Sequence, residues 1–213
     1  MKRAKVSEGR PDWLVRLPDP WDERVLSAAF DVFAAKGFDG STMSEIAALA
    51  GVSKRTMYER YHDKADLFRA LLAWGCRQNL PDAQPPEDAD PEQALIAHAE
   101  AVLSAISRPE SVELTRIVIS AAGRFPEMGA LFDDMTRTAS LEIVRGLGRR
   151  LMRQRRIRTS DPDVFAADFI GLLRGDHYQR ALLGVGEPLP QEDVPREARR
   201  VVTVLLRGFA RVE

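Results

Sequence analysis

The residues best equipped for chemistry lie between Lys54 and His62. Lys54 and Arg55 bring cationic donors, Thr56 a hydroxyl, Tyr58 a phenol on an aromatic ring, and His62 an imidazole. Met57 and Tyr61 stand four apart, share one helical face and should pack inward, which spreads the polar side chains over the remaining surface. A short helix with such an outer face suits the edges of nucleic-acid bases. Arg and Lys can meet guanine O6 and N7, and a tyrosine ring can meet a thymine methyl. Lys54, Arg55 and Tyr58 are therefore the base-edge candidates. Thr42, Ser53, Thr56, Tyr61, His62 and Lys64 are the candidates for holding phosphates or setting position, Tyr61 also serving the core.

Those side chains need elements to place them, and the preceding residues supply the signals. Thr42 and Glu45 stand at capping-box spacing, so a helix should begin there. Met43, Ile46, Ala47, Leu49 and Ala50 offer it an apolar face, and Gly51 sits where a positive φ can end a helix and turn the chain. Val52 fits the corner, and Ser53 is a good N-cap for the second helix. Helix, glycine turn and a second, donor-bearing helix make the plan of a helix-turn-helix that lays its second helix in the major groove.

In detail, Thr42, Ile46-Ala47, Ala50-Gly51-Val52-Ser53, Tyr58, Tyr61, Lys64 and Leu67 resemble the DNA-binding segment of the tetracycline-repressor (TetR) family, a likeness running from Trp21 to Trp74. One departure is that Tyr61 stands where phenylalanine is usual. The resemblance implies an all-α fold, a phosphate contact for Lys64, and a larger C-terminal half that binds a small-molecule effector and forms a homodimer through its last two long helices. Leu114 to Phe132 further resembles the AefR-like subgroup. A single reader covers only a few base pairs, so two copies are expected to read a palindromic operator in double-stranded DNA. A helical small-molecule binder with a vestigial DNA reader is the alternative.

Composition fits this reading and weakens others. The chain has 213 residues, 45% hydrophobic and 30% charged, with a net charge of −1 that argues against nonspecific coating of nucleic acid. No apolar run approaches the roughly 18 residues needed to cross a membrane, and no apolar segment follows the basic start, so neither a membrane partner nor a secretory leader is expected. A cytoplasmic location follows by default. The one cysteine, Cys76, excludes an intrachain disulfide framework and reads as a buried structural thiol. His62, His98 and His177 lack metal-ligand spacing, so no metal, cofactor or enzymatic activity is expected. Gly146-Leu147-Gly148 lies in a helical run with no strand before it, and signals close helix packing or a bend rather than a dinucleotide site.

In chain order, residues 1–20 form a basic arm, 21–79 the helix-turn-helix domain and 80–213 the helical ligand-binding and dimerisation domain. The first helix should run from Trp21 to Lys36 and end at Gly37. Phe30, Phe33, Ile46, Leu49, Val52, Met57 and Tyr61 make its expected core. Asp63 should cap a fourth helix to Gln78, and a proline-rich acidic linker follows. Further helices are expected over Pro91–Ser107, Pro109–Arg124, Glu127–Arg156, Pro162–Leu183 and Arg196–Arg211. The rows Phe165, Phe169, Leu172, Leu173 and Val201, Val204, Leu205, Phe209 suit a four-helix dimer seam or the chain's own core. His98, Arg116 and Asp176 interrupt apolar faces and, with Phe125, are the ligand-binding candidates.

Overall fold

Three helices begin on the same device, an aspartate followed by a proline. The side chains of Asp19, Asp90 and Asp161 each accept from the two backbone amides that follow the proline, while the proline occupies a position whose amide needs no partner. The structure is a computed structural model and describes residues 18–79, 85–158 and 161–210. The expected basic arm before residue 18 lies outside them. The helices are α1 (Pro20–Gly40), α2 (Met43–Ala50), α3 (Lys54–Arg60), α4 (Lys64–Asn79), α5 (Pro91–Ile106), α6 (Pro109–Ala122), α7 (Pro126–Arg153), α8 (Pro162–Leu173), α9 (Asp176–Leu182) and α10 (Val194–Gly208). No strand occurs among the described residues, and none of their helices is long and apolar enough to cross a membrane. The fold is all-α, in two compact units that divide between Arg77 and Gln78.

The first unit closes around aromatic rings. Phe33, Phe38 and Phe68 meet pairwise at centroid distances of 5.2 to 5.6 Å, and Val25, Leu26, Ile46, Met57, Leu67 and Leu71 complete the core. Gly37 takes φ of +71°, which only glycine adopts without strain, and swings Phe38 back into this cluster. Three expected core members differ. Phe30 and Val52 are half-buried, and Leu49 is 58% exposed. At 100° per residue, Leu49 points about 110° away from the mean direction of Met43, Ile46 and Ala47, so a two-turn helix cannot bury all four.

In the second unit α10 lies along α5, and α7 along α8. Phe165, Phe169, Val144, Leu147, Val201 and Leu205 are buried at their meeting. A Cβ on Gly148 would stand 2.9 Å from the Phe165 ring, so close helix packing is what this glycine allows, as expected. The helix expected over Pro162–Leu183 is instead two. Gly175 leaves helical geometry, and a Cβ there would crowd the Leu172 carbonyl at 3.2 Å. The break redirects α9 onto α6, where the Tyr178 and Thr115 hydroxyls meet at 3.0 Å. The two apolar rows face mainly the chain's own core: Phe165, Phe169, Leu173, Val201 and Leu205 are buried, and Leu172 and Phe209 half-buried against them. Only Val204 of those rows remains exposed.

Candidate nucleic-acid interface

The reader is assembled from its caps. Thr42 Oγ1 accepts from the Glu45 amide at 3.2 Å, and the Glu45 carboxylate accepts from the Thr42 amide at 3.0 Å, closing the capping box at the start of α2. Lys36 donates to Glu45 at 2.6 Å and, with Thr42, holds its carboxyl below the usual carboxylate range. Gly51 ends α2 in the left-handed region (φ +65°, ψ +35°), with the Val52 amide bonded back to Ala47 at 3.0 Å. Ser53 then caps α3, its Oγ accepting from the Thr56 amide at 3.0 Å and pairing with the Thr56 hydroxyl at 2.8 Å. The turn therefore fixes both helix ends without any tertiary partner.

On α3 the single buried side chain is Met57. Lys54, Arg55, Thr56 and Tyr58 surround it on the exposed side. Arg55 is 89% exposed and is held along the helix by Glu59, Nε to Oε1 at 2.9 Å, an i,i+4 pair that a base or phosphate can displace at small cost. Beyond the helix His62 is exposed, and its amide donates to Asp66 at 3.2 Å. Lys54, Arg55, Thr56 and Tyr58 thus give α3 an exposed, donor-bearing side.

Two expected phosphate contacts have other work. Tyr61 is buried and its hydroxyl donates to Asp22 Oδ1 at 2.9 Å, so it belongs to the core. Lys64 sends its ammonium to the backbone carbonyls of Phe38 and Ser41, the latter at 2.8 Å, and lies 4.6 Å from the centre of the Phe38 ring. A cation in the first turn of a helix opposes the dipole, and Lys64 is compensated by the end of another helix. Thr42 and Thr56 likewise use their hydroxyls in caps, though both remain exposed. Sequence reading missed Arg60, which joins Asp22 and Asp19. The Asp19–Asp22 capping spacing was visible, but its partner lies 38 residues from Asp22 along the chain.

The four ligand-binding candidates differ in what holds them. His98 is buried, its Nε2 2.7 Å from Ser140 Oγ and its ring stacked on Phe169 at 6.0 Å; burial lowers its pKa to about 4. Arg116 donates to the carbonyls of Ala181 and Leu182 and to Glu113, latching α9 onto α6. Phe125 precedes α7, half-buried, with the Arg124 guanidinium 5.8 Å from its ring centre. Asp176 starts α9 exposed and borders a cavity of about 190 Å³. That cavity is lined by Leu103, Leu173, Tyr178, Leu189, Glu197 and Arg200 among others, and by none of His98, Arg116 or Phe125.

A capped two-helix reader with an exposed cationic second helix, followed in the chain by a larger helical unit, defines a helix-turn-helix DNA-binding regulator. Residues 25–71 match the family of bacterial regulatory proteins described as the tetR family, and residues 93–211 match the C-terminal domain of AefR-like transcriptional repressors. The chain belongs to the TetR family, in its AefR-like subgroup, and members of this family are transcriptional regulators rather than enzymes. It is 26% identical over 160 residues to the HTH-type transcriptional regulator SrpR of Pseudomonas putida, spanning 74% of this chain and 73% of that one. The solved flavonoid-responsive regulator FrrA is similar at 27% identity and a TM-score of 0.71, covering 91% of this chain and 98% of its own. A TetR regulator from Agrobacterium tumefaciens shares the fold at 23% identity and a TM-score of 0.75, over 91% and 96% of the two chains.

Proposed function

We propose that the protein is a homodimeric, effector-responsive repressor that reads a palindromic operator in the cytoplasm through α3 of each copy. The observation that carries this reading is the surface of α3, where Lys54, Arg55, Thr56 and Tyr58 are exposed around one buried Met57. Lys54, Arg55 and Tyr58 meet base edges; Ser53, Thr56 and His62 set position against phosphates, with Thr42 and Lys64 bracing the reader from behind.

Dimerisation is supported by the outer strips of α8 and α10. Val164 and Val204 are 47% and 43% exposed, and beside them α8 turns out Ala167, Asp168 and Gly171 while α10 turns out Arg199, Thr203 and Arg207. Acidic and small on one helix, basic on the other, the strips complement each other when α8 of one copy meets α10 of its partner. Effector response is supported by the likeness to FrrA, whose name declares it flavonoid-responsive. It requires an effector that binds the DNA-free conformer more tightly, by about 1–3 kcal/mol in the usual range of coupling.

The test is a titration against the DNA upstream of the protein's own gene at two salt concentrations, with an unrelated duplex of equal length as control. Tighter, salt-sensitive binding to its own upstream DNA that Arg55→Ala weakens by about 1–3 kcal/mol supports the reading. Equal affinity for both duplexes in the parent refutes it for that promoter. Sedimentation of the free protein as a monomer at micromolar concentration refutes the dimer.

A further inference from the structure

α3 is seven residues long and buries one side chain. A single apolar anchor holds a short helix in place but determines its direction weakly, so the direction must come from its ends. The Gly51–Ser53 turn supplies one end. At the other, Arg60 Nε donates to Asp22 Oδ1 at 2.9 Å, and Arg60 Nη2 donates to Asp22 Oδ2 at 2.6 Å and to Asp19 Oδ2 at 2.8 Å. Tyr61 adds its hydroxyl to Asp22 Oδ1. Trp21 closes the group, 5.5 Å beneath the guanidinium and stacked on Tyr61 at 6.4 Å.

Asp22 is 2% exposed, and a buried carboxylate is tolerated only where its oxygens are met. The planar guanidinium meets both oxygens at once, which constrains angle as well as distance. A rise of 1.5 Å per residue makes α3 about 10 Å long, so a rotation of roughly 6° at one end displaces the other by about 1 Å. Hydrogen bonds to base edges do not survive much larger errors.

We propose that Arg60 and Asp22 are positioning residues for DNA reading, a clasp between the last turn of α3 and the first turn of α1 that sets the angle at which Lys54, Arg55 and Tyr58 enter the groove. This rests on the DNA-binding reading of α3. Neither residue needs to touch DNA for the clasp to act.

Charge alone and the clasp predict opposite signs for Asp22→Asn. Removing a negative charge near DNA tightens binding if only the field matters. Loss of the two-pronged clasp weakens it. The experiment measures parent, Asp22→Asn and Arg60→Gln against a duplex that the parent selects from a random pool, and against an unselected duplex, over a range of salt. Both variants are expected to bind the selected duplex at least about tenfold more weakly, with affinity for the unselected duplex retained. The salt slope of Arg60→Gln should match the parent's, whereas a lost phosphate contact would reduce it by about one. Equal or tighter binding of the selected duplex by Asp22→Asn overturns the proposal, as does an equal loss on both duplexes, which is the mark of general unfolding. If Asp22→Asn does not fold, Arg60→Gln decides alone by the same measures. A parent that selects no sequence refutes the operator reading separately. Amide exchange in the free proteins then judges the clasp: faster exchange through α3 in the variants upholds it, and unchanged exchange overturns it.

Discussion

Lowering the pH from 7 to 5 should destabilise this protein through one side chain. His98 sits on α5 with 7% of its surface exposed, against the Ser140 hydroxyl of α7 and the Phe169 ring of α8. Burial pushes its pKa from 6.5 down to about 4. As the pH falls through 6.5 the unfolded chain takes up a proton, while the folded chain stays neutral until about 4. Stability therefore falls across that window, and the loss stops growing once both states hold the proton. With those two values the loss between pH 7 and pH 5 is about 2 kcal/mol, at a slope approaching about 1.4 kcal/mol per pH unit. Urea unfolding followed by far-UV circular dichroism measures it, in the parent and in His98→Gln, which keeps an amide to face Ser140 but cannot protonate. All other titrating groups are common to both proteins, so the difference in their pH dependence isolates this residue. Matching pH dependence of parent and variant from pH 7 to 5 would refute the assignment of His98 as a buried neutral group.

Gly148→Ala should lower the melting temperature, because its methyl would stand 2.9 Å from the ring of fully buried Phe165; overpacking of this kind costs about 1–3 kcal/mol. Gly146→Ala is the control: nothing lies within 4 Å of that position, and alanine in a helix interior gains about 0.5–1 kcal/mol over glycine. The same change in melting temperature for both would contradict the packing argument. Cys76 is buried and its thiol is pushed up to about 12, so a thiol reagent at pH 8 should modify it slowly in the folded protein and rapidly in urea. Fast modification without denaturant would show that α4 opens locally or that the burial is wrong.

The reader's local grammar was legible from the sequence because each signal acts within a few residues. Thr42 and Glu45, Gly51 and Ser53, and the helix-breaking prolines all work through backbone groups one turn away. The second unit was harder to read, since apolar rows on a helix do not say which neighbour they face. Phe165, Phe169, Leu173, Val201 and Leu205 could equally have faced a partner, and proved to fill their own core. The break at Gly175 was hidden inside a continuous helical periodicity, and it moved Asp176 out of the apolar row into solvent.

By itself, then, the sequence determined the all-helical class, the helix-turn-helix and the outward set Lys54, Arg55, Thr56 and Tyr58. Propensity, capping and period are local quantities, and they can be read from neighbours along the chain. Only the tertiary structure decided that the Tyr61 hydroxyl meets Asp22, that Lys64 turns to the carbonyls of Phe38 and Ser41, and that Arg60 joins Asp22. Those outcomes depend on which groups meet across tens of residues of chain, where a buried charge must find its partner, and no local pattern specifies which one it will be.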